Sequence, residues 1–171
     1  VKVDQFAEGA IAQVACGYVA RSQWAAIVDP ETGVEQADEH VGEIWLHGNN
    51  VGRGYFGRPE ESERVFGNKL QTRQTVSHAD GAEDNALWLA TGDLGVYVGG
   101  ELFVTGRIKD LVIVDGRNHY PQDIEATVSE SSRVVRSGYV AAFTVPADVL
   151  PHRPTNDSGE RVVIVAERAA G

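Results

Sequence analysis

The chain holds a single cysteine, Cys16, in 171 residues. An internal disulfide framework is therefore excluded, and the composition suits a reducing compartment. Cys16 stands in the alternating run AQVACGYVA, where the expected role is a small core residue rather than a catalytic thiol. Long apolar runs are absent too. None approaches the roughly 20 residues that a membrane helix needs. The opening stretch, VKVDQFAEGA, lacks the apolar core of a signal peptide, so a cytoplasmic protein is expected. Without such a signal, the sequon Asn156-Asp157-Ser158 carries no meaning. Basic residues are scarce: 15 Lys and Arg stand against 25 Asp and Glu, a net charge of −10. Most of the excess lies early, with 8 basic and 16 acidic residues over 1–107, against 7 and 9 over 108–171. An acidic surface repels phosphate backbones, which argues against a nucleic-acid partner. The five histidines, at 40, 47, 78, 119 and 152, show no metal-ligand spacing, so no metal site is expected among them.

What is present is apolar content of 42%, enough to bury a core in one medium domain or two small ones. The pattern is β-rich with little helix, an α+β chain. AQVACGYVA, SQWAAIVD and EIWLH read as strands. LGVYV and ELFVT flank Gly99-Gly100, a two-residue hairpin turn. LVIV follows, then a turn at Asp115-Gly116-Arg117-Asn118. GYVAAFTV and RVVIVAE are two further strands, joined by the Pro-rich polar loop PADVLPHRPTNDSGE. Helix is expected at 59–66, where Pro59 suits a first turn and acids at 60, 61 and 63 favour a helix N-terminus. A second helix opens at Pro121, PQDIEATVSES, with Ile124 and Val128 on one face. From 67 to 86 the chain is polar, without period, and reads as a loop.

GRGYFG, at 52–57, fits the G-x-G-x-x-G fingerprint of a dinucleotide-binding turn. The surroundings argue otherwise. A Rossmann unit needs strand, glycine turn, helix and a second parallel strand within about 30 residues. Here the helix is about two turns long and runs into a polar loop. The better reading is a tight strand-to-helix turn in which glycines permit positive φ.

Three further stretches suggest chemistry: GEIWLHGNNVGRGYFGRPEES, LWLATGDLG and GRIKDLVIVDGRNHYPQDIE. Taken singly, each has a plain structural reading. Asp93 suits a turn held by its side chain. Arg107 and Lys109 suit a solvated basic pair at a strand end. Gly116-Arg117-Asn118 suits a hairpin tip. In this order and spacing, however, they resemble the adenylate-forming superfamily of acyl-CoA synthetases, luciferases and peptide-synthetase adenylation domains. GEI…GNNVGRGYFGRP resembles that family's G-E-[IL]…G-Y-x-x-x-P segment, which absorbs GRGYFG. ATGD matches T-G-D, with Ala90 where many members have Arg. GRIKD matches G-R-x-[KD]-D. The wording GRNHYPQDIE is most similar to the fatty acyl-AMP ligases of mycobacteria and related actinobacteria.

The resemblance implies ATP-dependent activation of a long-chain fatty acid, with Mg2+, and transfer of the acyl group to an acyl carrier protein or polyketide synthase. CoA is the alternative acceptor, and a non-catalytic docking module for carrier proteins is a reading from another class. Asp93 is implied to hold the ribose hydroxyls, with Arg107 as a second contact. Val104 is implied to pack near the nucleotide, although a core valine is the better reading of its place in the strand. Lys109 is implied to be a hinge. Gly116, Arg117, Asn118 and His119 would form an acceptor-facing loop. The implied organisation is a β-rich, antiparallel, barrel-like subdomain of a large domain over 1–107, then the start of a small mobile α+β domain over 108–171. The family's phosphate loop and acyl pocket lie upstream and its catalytic lysine downstream, so no catalytic residue is expected here, and these 171 residues alone are expected to be inactive.

Overall fold

A computed structural model describes residues 12–114, 117–146 and 160–169, with Val3 and Ala7. The chain divides into two compact units, Val1–Ile108 and Lys109–Gly171.

The first unit is built on a five-stranded sheet: β1 (Ala15–Gly17), β2 (Gln23–Val28), β3 (Gly42–Gly48), β4 (Leu89–Val98) and β5 (Glu101–Arg107), in the order β1-β5-β4-β3-β2. Every pairing is antiparallel. The sheet is open, with β1 and β2 at its edges. The strand-rich α+β class is what the sequence implied, and the antiparallel sheet does not close into a barrel. The β4–β5 hairpin turns at Gly99-Gly100, with φ of 61° and 82°. Both central residues at positive φ is the requirement of the turn that matches strand twist.

Both faces of β2 are covered, because successive side chains of a strand point to opposite sides. Ala26 and Val28 join Trp45, Ala79, Ala82, Ala86 and Trp88 on one face. Ala25 and Ile27 join Ile44 and Tyr97 on the other. Three alanines of the first cluster come from the aperiodic stretch expected to be only a polar loop. That stretch is irregular, but it is packed down on the sheet. His47 lies between the rings of Trp24 and Trp88, at 5.3 and 5.4 Å, and its Nδ1 is 2.9 Å from the Leu87 carbonyl oxygen.

Helix α1 (Pro59–Phe66) occupies the expected residues, with Glu60 and Glu61 in its first turn. Before it, GRGYFG forms the tight turn. Gly54 has φ +139°, and a Cβ there would stand 2.8 Å from Ser62 Cβ. The Tyr55 N–H donates to Ser62 Oγ at 2.7 Å, tying the turn to the helix. The strands either side of α1, β3 and β4, pair antiparallel. A dinucleotide-binding unit requires them parallel. Cys16 departs from expectation. It is exposed on the short edge strand β1, which keeps only three of the nine residues in AQVACGYVA.

The second unit holds a hairpin of β6 (Val112–Val114) and β7 (Arg117–His119), helix α2 (Pro121–Ser131), and a hairpin of β8 (Val135–Pro146) and β9 (Glu160–Arg168). Asp115, Gly116 and most of the Pro-rich loop, 147–159, lie outside the described residues. Helix α2 lies on β8, where Glu125 Oε1 accepts the Ala142 N–H at 2.9 Å.

Candidate functional site

The first unit gathers its chemistry where β4 leaves regular pairing. Glu43 faces Leu94 and Trp45 faces Ala90. Between those pairs β3 has one residue, Ile44, while β4 has three: Thr91, Gly92 and Asp93. The extra residues form a bulge, a device that re-aims side chains at the edge of a ladder. Gly92 takes φ +76°, open to glycine and strained for other residues. Thr91 Oγ1 donates to the Ile44 carbonyl at 2.7 Å and accepts the Asp93 N–H at 3.1 Å. The Gly92 N–H donates to Glu43 Oε1 at 2.7 Å.

Asp93 leaves this bulge directly opposite Arg107 of β5. Arg107 Nε donates to Asp93 Oδ1 at 2.7 Å, with the side chains 61% and 35% exposed. Such a half-exposed pair adds little to stability. What it does is hold a carboxylate and a guanidinium in one orientation at the surface. A carboxylate accepts several hydrogen bonds, so Asp93 keeps acceptor capacity beyond the bond with Arg107. Vicinal hydroxyls, as on a sugar, suit it, and charge assistance strengthens such bonds. The plain reading of Asp93 as a turn-holding side chain is not what the bonds show: Thr91 and Glu43 hold the turn, and Asp93 reaches across to Arg107.

Val104 belongs to the same hairpin, opposite Gly95, and is 44% exposed, so it is not a core valine. Lys109 is exposed in a single turn of 3-10 helix, Ile108–Asp110, as the first residue of the second unit. Arg117, Asn118 and His119 are exposed along β7. Gly116 lies outside the described residues. The sequence reading overlooked Glu43 as a member of the site. A usable signal was there: an acid inside GEIWL, a strand otherwise apolar on both faces. Among the described residues, no group of three or more His, Cys, Asp or Glu converges as a metal site, and no helix is long and apolar enough to cross a membrane.

No family model matches the chain. It is 53% identical over 182 aligned residues to the long-chain-fatty-acid–AMP ligase FadD32 of Mycobacterium marinum, covering 100% of this chain and 29% of that protein. Among solved structures, it is similar to the fatty acyl-adenylate ligases of E. coli and L. pneumophila, at 31% identity and a TM-score of 0.62, over 93% of this chain and 23% of theirs. It is also similar to ATP-bound MatB from Rhodopseudomonas palustris, at 31% identity and a TM-score of 0.64, over 91% of this chain and 25% of the other. The chain thus spans under a third of the length of each of these relatives.

Proposed function

Since this chain belongs to the long-chain-fatty-acid–AMP ligase family of adenylate-forming enzymes, we propose that the whole protein activates a long-chain fatty acid with ATP and passes the acyl group to a carrier protein. The carboxylate oxygen attacks the α-phosphorus, the bond to the β-phosphate oxygen breaks, and pyrophosphate leaves. A phosphopantetheine thiol of an acyl carrier protein or polyketide synthase then attacks the acyl carbonyl and releases AMP. Two anions must meet in the first step, so positioning and charge stabilisation carry the catalysis.

The observation that carries this reading is the oriented Asp93–Arg107 pair. In the proposal, Asp93 accepts from the ribose hydroxyls while Arg107 holds the carboxylate and adds a cation beside the nucleotide. Val104, exposed on the same hairpin, lies on the nucleotide side. Lys109 is the hinge, and the β6–β7 hairpin with Arg117, Asn118 and His119 meets the acceptor. No Mg2+ ligand is assigned in this chain, and neither is a catalytic group. Because the chain spans 29% of its relative, the acyl pocket and phosphate contacts are assigned to the rest of the protein, and the 171 residues alone are expected to release no pyrophosphate.

The test is Asp93→Ala in the full-length enzyme. Losing a charge-assisted hydrogen bond costs about 1.5–3 kcal/mol, so the KM for ATP should rise roughly 10- to 150-fold, with the KM for fatty acid little changed. Pyrophosphate–ATP exchange measures it. Unchanged ATP dependence would remove Asp93 from the nucleotide site. Acyl loading of a carrier protein, run beside CoA thioester formation, identifies the acceptor.

A further inference from the structure

We propose that Glu43 is the positioning residue for Asp93: a buried carboxyl on β3 that sets the path of the bulge from which the ribose-binding side chain projects. Glu43 is 6% exposed, and its two oxygens are used separately. Oε1 accepts the Gly92 N–H at 2.7 Å, and Oε2 accepts Trp45 Nε1–H at 2.8 Å. Trp45 is itself buried in the core on one face of the sheet. The carboxyl therefore links a fixed core indole to the middle residue of the bulge.

This bond falls where regular pairing cannot reach. On the β3 side, pairing of β4 runs up to Ala90 and resumes at Leu94, and on the β5 side it begins at Asp93. Between them the peptide N–H of Gly92 has no strand partner and takes a side-chain oxygen instead. The bond holds Gly92 at φ +76°. Asp93, the next residue, is then delivered opposite Arg107. Only a group with two acceptor oxygens and no donor serves both N–H groups. Glutamine would turn an NH2 toward one of them. A buried acid placed merely to stabilise the sheet would have no need to aim an oxygen at the bulge. The role rests on the assignment of Asp93 to the ribose, and the test separates the two.

The experiment is a double-mutant cycle of Glu43→Gln and Asp93→Ala in the full-length enzyme, read as KM for ATP, KM for fatty acid and kcat in pyrophosphate exchange. Glu43→Gln is near-isosteric and should fold. It should raise the KM for ATP roughly tenfold while leaving the KM for fatty acid within about twofold. In the Asp93→Ala background, it should add little, because the side chain it positions is gone. If Glu43→Gln does not fold, Glu43→Met with Trp45→Phe replaces it. That pair removes the carboxyl and its core donor together, and leaves only the Gly92 N–H without an acceptor. An effect of Glu43→Gln, or of the replacement pair, that is as large with Asp93→Ala as without it, or equal for ATP and fatty acid, overturns the positioning role and leaves the ribose assignment standing. Asp93→Ala with unchanged ATP use overturns the ribose assignment, and the positioning role falls with it.

Discussion

Tyr97 shows how far one side chain can be committed to the fold. It is 3% exposed, its hydroxyl donates to the Ala25 carbonyl at 2.9 Å, and the ring of His78 stacks on it at 3.5 Å. Burial first, and then the charges of Asp38 and Glu35, push its phenol from 10.0 up to about 12. Between those values, the folded protein keeps a proton that the unfolded chain has lost. The stabilisation is therefore complete below pH 10 and is lost as pH rises through 12, by up to roughly 3 kcal/mol. Urea unfolding at pH 9 and pH 11.5 should show this fall in the wild type and a clearly smaller one in Tyr97→Phe. Parallel pH dependence in the two proteins would mean that other groups govern alkaline unfolding.

At the scale of elements, the irregular stretch after α1 is held by one buried acid. Glu35 is 1% exposed. Its carboxyl accepts the Gln74 N–H at 2.9 Å, Ser77 Oγ–H at 2.6 Å and the His78 N–H at 2.9 Å. Three bonds from one side chain fold a polar segment onto the sheet and allow Ala79, Ala82 and Ala86 to be buried. Glu35→Ala would strand three donors, each costing about 1–3 kcal/mol, so a loss of at least about 3 kcal/mol is expected, with faster proteolysis between residues 67 and 86. A loss below about 1 kcal/mol would show that the alanine contacts alone hold the segment. The elements with local signals were legible. Pro59 and Pro121 marked both helix starts, and Gly99-Gly100 marked the hairpin. The packing of 67–86 was not legible, because its donors find an acceptor some 40 residues earlier in the chain, and no periodicity records that.

For the whole molecule, the division at Lys109 bears on the proposed hinge. Lys109 stands in a single 3-10 turn, a conformation whose usual φ of about −50 to −70° overlaps the range that proline fixes. Lys109→Pro should therefore fold but lose the freedom to change this torsion. As a hinge variant of the full-length enzyme, it should keep pyrophosphate–ATP exchange and lose acyl transfer to a carrier protein by at least about tenfold. Equal losses in both assays, with the circular dichroism spectrum intact, would argue that Lys109 is a surface lysine.

By itself the sequence determined the family, through the order and spacing of GEI, TGD and GRIKD, and it determined the helices and the turn whose residues act within a few positions of one another. It named Asp93 and Arg107 without showing that they touch. Fourteen positions apart, they meet only through the register of the β4–β5 hairpin. Cys16 looked like a core residue by alternation, yet its strand lies at the sheet edge, and a pattern of period two cannot say which strand ends up outermost. Glu43 looked like one letter of a motif. Its function as an acceptor for the bulge exists only once β3 and β4 are paired two residues out of step, since the N–H it receives is created by that mismatch.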